Sequence, residues 1–210
     1  MSSRTKSFFV NALTFARVPF ILLWLAFAVV QEYVGGFWLG FWACVAMLLS
    51  GLTDLWDGQL ARKWGVVSTL GKMADPLMDK VFYIVAFPAL VWQAAHQGGG
   101  EVHTLALLAF TLLYMLRDTW VTFLRSVGAL YGADVGAMWI GKVRTALSFP
   151  GAGLIYVYLA FHRLAPEQWQ APWLWSCYAI ECALLLLTLA SLGTYTRAYW
   201  PYLKKALERT

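Results

Sequence analysis

The chain has 210 residues, of which 60% are hydrophobic and only 13% are charged, and its mean hydropathy is +0.61. A soluble domain carries about 25% charged residues, so this composition excludes a water-soluble globular protein. The net charge of +5 suits basic segments beside anionic lipid headgroups, and we expect no nucleic-acid partner. The sequence therefore indicates an all-α integral membrane protein.

The predicted helices, taken in chain order, begin with a short amphipathic one. Residues 3–15 mix basic residues with several phenylalanines, which is typical of a helix lying on the membrane surface. Apolar runs of bilayer-spanning length follow, and turns containing glycine or proline separate them. We expect a single domain over residues 1–210, with six transmembrane helices at about 18–34, 37–62, 70–95, 104–130, 138–161 and 173–195.

Basic residues in the predicted loops and ends indicate the orientation of the chain. One side carries Arg4, Lys6, Arg17, Arg62, Lys63, Arg125, Lys142, Arg144, Arg197, Lys204, Lys205 and Arg209. The other side carries only Arg163. Because cytoplasmic loops are enriched in Lys and Arg, we expect both termini, and the acidic stretch between the second and third predicted spans, to face the cytoplasm.

The stretch between the second and third predicted spans holds four aspartates. Asp54 and Asp57 share one face near the end of the second span. Asp75 and Asp79 share one face near the start of the third span. A turn around Gly65 lets the two helices run antiparallel with these faces opposed. The spacing therefore predicts that four carboxylates converge at the cytoplasmic boundary.

Such a cluster of like charges needs nearby cations. Arg62, Lys72 and Lys80 are close in sequence and could neutralise part of the charge. An all-oxygen ligand set without His or Cys favours Mg²⁺, Mn²⁺ or Ca²⁺ over zinc. Two divalent ions bridged by carboxylates are suited to displacement at phosphorus. A buried ion-pair network, or a cation or proton transporter, are the alternatives for the same residues.

The aspartates belong to a longer motif, D-x2-D-G-x2-A-R-x8-G-x3-D-x3-D. Its fixed positions are Asp54, Asp57, Gly58, Ala61, Arg62, Gly71, Asp75 and Asp79. The motif resembles the signature of the class I CDP-alcohol phosphotransferase family of integral-membrane phospholipid synthases. The resemblance implies a six-helix core with an N-terminal surface helix, a homodimer, and transfer of a phosphatidyl group from CDP-diacylglycerol with release of CMP.

The resemblance also implies roles for the motif residues. It implies Mg²⁺ or Mn²⁺, as two ions, held by Asp54, Asp57, Asp75 and Asp79. It implies that Asp79 also acts as the general base. It implies a CDP pocket lined by Asp57, Gly58, Ala61, Arg62 and Gly71, with Arg62 on the diphosphate.

Three further stretches narrow the resemblance within that family. NALTFARVPF at residues 11–20 resembles a pattern common in bacterial members, and DPLMDK at 75–80 resembles the phosphatidylglycerophosphate and cardiolipin synthase branches. WIGKVRT at 139–145 resembles a stretch of the bacterial phosphatidylglycerophosphate synthases. They imply an enzyme of the bacterial inner membrane with glycerol 3-phosphate as acceptor. The candidate ligands for the acceptor phosphate are Arg117, Arg125, Lys142 and Arg144. Asp118 stands where that branch carries Glu. Inositol phosphate, serine and phosphatidylglycerol are the alternative acceptors.

Other ionisable residues inside apolar runs have no predicted catalytic role. Glu181 has no basic neighbour in sequence, so we expect it to be protonated or hydrogen-bonded to another helix or subunit. His96, His103 and His162 match no metal-binding pattern and fall on the side opposite the aspartates.

Overall fold

The computed structural model describes residues 2–96, 100–133, 136 and 138–208, except for the side chain of residue 72. The α-helices in these ranges are α1 (Ser3–Val34), α2 (Phe37–Trp64), α3 (Thr69–His96), α4 (Glu101–Leu130), α5 (Trp139–Phe161) and α6 (Glu167–Leu207). A 3₁₀ turn at His162–Leu164 precedes α6. No strand occurs within these ranges, so the predicted all-α class is confirmed.

Five of the described helices are long and apolar enough to cross a membrane: α1, α2, α3, α4 and α6. The remaining helix, α5, has 23 residues and carries Lys142 and Arg144 in its first two turns. A membrane protein is therefore confirmed, and the sixth span stays a prediction.

The predicted surface helix is not a separate element, because α1 runs without a break from Ser3 to Val34. The predicted boundary rested on the polar Arg17. Arg17 is only 3% exposed, however, because its side chain points into the protein and not into a loop. The Ser50 hydroxyl donates to the Arg17 carbonyl at 3.2 Å, which ties α1 to α2 at this level.

The second helix whose bounds differ from the prediction is α6, which extends well beyond both ends of the predicted span at 173–195. The prediction followed the apolar run alone. The helix itself begins at Glu167 and continues through Lys204 and Lys205 in its last turn. Polar residues at both ends can remain helical outside the hydrocarbon core, because the backbone hydrogen bonds stay satisfied there.

The helices pack around a continuous apolar core. α1 packs against α2 and α3, α4 packs against α3 and α6, and α5 contacts α2, α3 and α6. The rings of Trp24 and Tyr156 meet edge to face at 5.3 Å, and those of Phe87 and Tyr114 meet at 4.8 Å. Such pairs contribute about 0.5–1.5 kcal/mol beyond their buried area.

The connection between α2 and α3 is short and defined by two capping residues. Gly65 ends α2 with φ +63°, a left-handed conformation that favours glycine. Ser68 precedes α3, and its hydroxyl accepts the Gly71 N–H at 2.9 Å. α1 is the main packing partner of both helices, so the expected direct opposition of α2 and α3 is replaced by a three-helix arrangement.

Candidate active site

The motif aspartates meet at the end of the bundle where α2 turns into α3. One carboxylate oxygen from each of Asp54, Asp57 and Asp75 lies within 4.8 Å of the other two. Asp57 is buried, whereas the side chains of Asp54 and Asp75 are about half exposed. These three residues are called the carboxylate cluster below. Asp79 lies one turn beyond Asp75 on α3 and is not part of this cluster of close oxygens.

Arg17 of α1 is the cation at the centre of the aspartates. Its guanidinium donates hydrogen bonds to Asp54 and Asp79. The same group lies 3.5 Å from an Asp75 oxygen and 3.7 Å from an Asp57 oxygen. One planar guanidinium with several N–H groups can contact all four carboxylates, which a single ammonium cannot do as well.

The expected neutralising residues do not form ion pairs with the aspartates in the described part of the chain. Lys80 instead donates to the Thr122 hydroxyl at 2.9 Å. Arg62 lies beside Gly58, with Nη1 3.5 Å from the place a Cβ would take there. The side chain of Lys72 lies outside the described residues. Sequence proximity therefore did not identify Arg17 as the cation of this cluster, and the prediction for Lys72 stays untested.

Thr14 is a second contribution from α1 that the carboxylate spacing did not predict. Its hydroxyl donates to Asp57 Oδ2 at 2.7 Å, and both side chains are buried. Thr14 and Arg17 both belong to the N-x-L-T-x-x-R stretch at residues 11–17. That stretch was the signal that could have placed α1 in the site.

A small polar cavity of about 180 Å³ opens between α1, α2 and α3. The five residues predicted for the CDP pocket all line it: Asp57, Gly58, Ala61, Arg62 and Gly71. Asn11 and Ser68 also line it, and the Ser68 hydroxyl donates to Asn11 Oδ1 at 2.7 Å. A Cβ on Gly71 would lie 3.1 Å from Ser68 Oγ and 3.2 Å from Asn11 Oδ1, so a side chain there would narrow the cavity.

A larger cavity of about 500 Å³ lies on the other side of Arg17. Asp54, Asp79 and Arg17 form its polar end. The rest of its wall is mostly apolar and includes Leu48, Leu52, Leu55, Phe82, Phe149 and Pro150 from α2, α3 and α5. A cavity that is charged at one end and apolar along its length suits a molecule with a polar head and a hydrocarbon tail.

Two of the predicted acceptor ligands, Arg117 of α4 and Arg144 of α5, form a buried pair joined by one carboxylate. Asp118 Oδ1 accepts from Arg117 Nη1 at 2.8 Å and from Arg144 Nη2 at 2.6 Å. Arg117 also donates to the Ser191 hydroxyl of α6. The Arg144 guanidinium stacks 4.0 Å from the centre of the Tyr114 ring. These two residues are called the arginine pair below.

Neither of the other two predicted acceptor ligands is joined to Asp118 in the described structure, but Arg125 and Arg117 approach the same Tyr195 ring, at 5.4 Å and 5.0 Å from its centre. Arg125 is exposed, and it donates to the Tyr195 hydroxyl at 3.1 Å. Lys142 is exposed on the first turn of α5. The Tyr195 hydroxyl also accepts the Met138 N–H at 2.9 Å, just before α5 begins. The structure therefore joins Arg117 and Arg144 through Asp118 and places Arg125 beside the Tyr195 ring that Arg117 also contacts, whereas no described contact joins Lys142 to this group.

A third cavity, of about 350 Å³, lies between α3 and α4 beside the arginine pair. Its polar wall consists of Lys80, Asp118, Thr119 and Thr122. Tyr83 lines this cavity and also the large cavity that holds Asp79. The arginine pair therefore lies beside the cavity between α3 and α4, whereas Asp54 and Asp79 line the large cavity. The two cavities share Tyr83 as a wall residue.

Away from these cavities, Glu181 of α6 is hydrogen-bonded to another helix. This was one of the alternatives that the sequence predicted for it. An Nε2–Oε1 distance of 2.8 Å joins it to His103 of α4, and both side chains are buried. His103 was assigned no contact from sequence, because its partner is 78 residues away.

A family model described as CDP-alcohol phosphatidyltransferase matches residues 8–192, which include every motif residue described above. The chain belongs to this family. Its classification as a phosphatidyltransferase is thereby confirmed at the level of the family, and the transporter alternative loses its support.

Curated members of the CDP-alcohol phosphatidyltransferase family give more detailed likenesses. A CDP-diacylglycerol–glycerol-3-phosphate 3-phosphatidyltransferase of Treponema pallidum is 31% identical over 167 residues, which are 78% of this chain and 72% of that protein. The Escherichia coli K12 protein of the same name is 28% identical over 126 residues, 60% of this chain and 66% of that protein. A CMP-forming cardiolipin synthase of Streptomyces coelicolor is 35% identical over 83 residues, 40% of this chain and only 38% of that protein.

The carboxylate cluster of this family member fits a divalent metal ion. Its ligands are hard oxygens, three of them converge, and two of the three side chains remain open to an incoming ion. Arg17 lies among these carboxylates, and its hydrogen bonds to Asp54 and Asp79 fix the orientation of those two side chains. Asp79 lies outside the three close oxygens; it lines the large cavity and accepts a hydrogen bond from Arg17.

Proposed function

We propose that the chain transfers the phosphatidyl group of CDP-diacylglycerol to glycerol 3-phosphate, giving phosphatidylglycerol phosphate and CMP. The observation that carries the proposal is the position of the arginine pair relative to the carboxylate cluster. A site suited to a metal-bound diphosphate and a pair of buried guanidiniums suited to a phosphate lie beside cavities that share Tyr83. The names of the Treponema and Escherichia relatives support the same acceptor.

The donor would bind with its nucleotide in the small polar cavity. Arg62 lines this cavity and presents a guanidinium that can bind the diphosphate as a fork. Gly58 and Gly71 keep the wall free of side chains, so the nucleotide can approach the backbone. The diacylglycerol part would lie in the large cavity, along Leu48, Leu52 and Phe149.

Asp79 would act as the general base. Its carboxylate lines the large cavity beside Arg17 and could accept the proton of the attacking 1-hydroxyl of glycerol 3-phosphate. That oxygen would bond to the β-phosphorus, and the bond from this phosphorus to the bridging oxygen of CMP would break. Two divalent ions, Mg²⁺ or Mn²⁺, held by the carboxylate cluster with Asp79 as a further ligand, would supply neutralisation of the diphosphate charge.

Phosphatidylglycerol is the second candidate acceptor, because the Streptomyces relative is named a cardiolipin synthase. That acceptor is a phosphodiester with a single charge, held in the membrane by its own acyl chains. Glycerol 3-phosphate carries a phosphate monoester, which has more negative charge, and it has no acyl chain. Two buried guanidiniums favour the more highly charged acceptor.

The setting of the reaction belongs to the same proposal. We infer a bacterial inner-membrane protein with both termini and the aspartates on the cytoplasmic side, acting as a homodimer. The position of most basic residues on one side of the predicted spans supports this orientation.

An acceptor panel tests the proposed function. The purified chain is incubated with CDP-diacylglycerol, Mg²⁺ and, separately, glycerol 3-phosphate, phosphatidylglycerol, serine and inositol phosphate, and the lipid product is identified by mass spectrometry. We expect phosphatidylglycerol phosphate from the first mixture and at most traces of product from the others. Cardiolipin from the second mixture, with no product from the first, would establish the alternative acceptor.

A further inference from the structure

We propose that Asp118 is an internal anion that occupies the acceptor-phosphate site until the acceptor displaces it, and thereby selects acceptors with a phosphate monoester. The inference rests on the proposed function and assigns a specificity-determining role to a residue outside the family motif. It follows from the position of the Asp118 carboxylate between the cavity of α3 and α4 and the arginine pair.

Asp118 stands between the cavity and the cations. Its side chain lines the cavity between α3 and α4, whereas neither Arg117 nor Arg144 does. One oxygen, Oδ1, accepts hydrogen bonds from both guanidiniums. An anion that enters the cavity therefore meets Asp118 before it meets the arginine pair. It can reach the guanidiniums only by taking the place of this carboxylate.

The arginine pair is under-neutralised in this arrangement. Two buried guanidiniums share a single carboxylate, and Arg117 Nε, Arg144 Nε and Arg144 Nη1 are buried without a hydrogen-bond partner in the described structure. Buried donors without partners are costly. A phosphate group carries more charge than a carboxylate and offers several terminal oxygens, so it would satisfy more of these donors than Asp118 does.

The guanidinium planes are held by contacts other than Asp118, so the site would persist when the carboxylate leaves. Arg144 stacks on Tyr114 at 4.0 Å, and Arg117 lies 5.0 Å from the centre of the Tyr195 ring while donating to Ser191. A site whose walls remain in place binds its ligand without a large ordering cost.

The displaced carboxylate would have a second partner in the same cavity. Lys80 of α3 lines that cavity, and its ammonium donates one hydrogen bond to the Thr122 hydroxyl at 2.9 Å. An ammonium has further donors, which Asp118 could meet by rotating toward the cavity. Asp118 thus has two partners, the arginine pair without acceptor and Lys80 with it.

This arrangement explains selection between acceptors by competition. Any acceptor anion has to bind the arginine pair better than the carboxylate does, which favours a phosphate monoester over a singly charged phosphodiester or a neutral alcohol. Specificity of this kind comes from an element that opposes the wrong ligand as well as from contacts to the right one.

The test compares the purified full chain with Asp118→Asn and with the control Glu208→Gln, which removes an exposed acid paired with Lys204. The thermal unfolding midpoint is measured against increasing inorganic phosphate at constant ionic strength, with glycerol as an uncharged control ligand. We expect Asp118→Asn to have a lower midpoint without phosphate, because the guanidiniums repel each other more strongly. We also expect its half-saturating phosphate concentration to fall by about tenfold, since a neutral amide competes less well than a carboxylate.

Equal or weaker phosphate binding by Asp118→Asn would overturn the proposal and make Asp118 a residue that only positions or neutralises the arginines. If that variant does not fold, Lys80→Met carries the test. Removing the second partner should raise the half-saturating phosphate concentration by about tenfold, and an unchanged value would equally overturn the proposal.

Kinetics separate this inference from the proposed function. In Asp118→Asn the KM for glycerol 3-phosphate should fall while the KM for CDP-diacylglycerol stays within about twofold of wild type. If the wild-type chain makes no product with glycerol 3-phosphate, the proposed function fails. The phosphate titrations then still decide whether Asp118 competes for the arginine pair.

Discussion

At the scale of single residues, the site depends on a cation that sequence reasoning did not select. The motif predicted which carboxylates converge, because helical periodicity fixes the faces of residues three or four positions apart. Arg17 lies 37 residues before Asp54 and 62 before Asp79, so no local pattern links it to them. The same limit applies to His103 and Glu181, which are 78 residues apart.

Replacing Arg17 tests its role as the central cation. Without it, the four carboxylates repel one another, and a bound metal ion would offset part of that repulsion. We expect Arg17→Gln to lower the unfolding midpoint more in chelator than in Mg²⁺, with a loss of about 1–3 kcal/mol in chelator, because several of the carboxylates are half exposed. The unfolding midpoint of Arg17→Lys should lie between those of wild type and Arg17→Gln, since one ammonium cannot reach both helices as a guanidinium does. Equal losses in chelator and Mg²⁺ would contradict this role.

Asp79 allows binding and chemistry to be separated. It lines the large cavity but lies outside the carboxylate cluster. We expect Asp79→Asn to keep CDP-diacylglycerol binding within about tenfold and to lose at least about a hundredfold in kcat, because a base is removed and the nucleotide cavity is left intact. Asp57→Asn is the matched comparison, since Asp57 lines the nucleotide cavity. Loss of nucleotide binding in Asp79→Asn with kcat retained would make Asp79 a ligand instead.

At the scale of elements, the helices are those the apolar runs predicted, but their ends and neighbours differ. Apolar runs end where polar residues begin, so the prediction divided α1 at Arg17 and shortened α6. The structure keeps both helices continuous because those polar residues have partners or lie at polar ends. The packing of α1 against both α2 and α3 could not be predicted, since it depends on which helices are neighbours in space.

Gly71 at the start of α3 links helix geometry to donor binding. A methyl group there would crowd Ser68 Oγ and Asn11 Oδ1 and narrow the small polar cavity. We expect Gly71→Ala to weaken CDP binding by about tenfold with little change in the unfolding midpoint. Gly153→Ala on α5 is the control, because no atom lies within 4 Å of its added methyl group. Equal CDP affinity in both variants would show that Gly71 does not shape the nucleotide site.

At the scale of the whole molecule, composition predicted a membrane protein, because so few charged residues cannot cover a soluble surface, and the length of the apolar runs predicted that it is all-α. Orientation is a further prediction from basic residues, of which Arg209 lies outside the described residues. In a variant with Cys44, Cys177 and Cys182 replaced, a cysteine at position 101 should react with an impermeant reagent on intact cells. A cysteine at position 63 should react only after permeabilisation. The opposite pattern would place the aspartates on the outer side.

The most direct measurement of the central claim is CMP release from CDP-diacylglycerol by the purified chain, with glycerol 3-phosphate present. We expect no release in chelator, full release when Mg²⁺ or Mn²⁺ is restored, and no release at any metal concentration from Asp75→Asn, which should stay folded but loses one carboxylate of the cluster. Release that persists in chelator, or an Asp75→Asn variant as active as wild type, would contradict a metal-dependent transfer at this site.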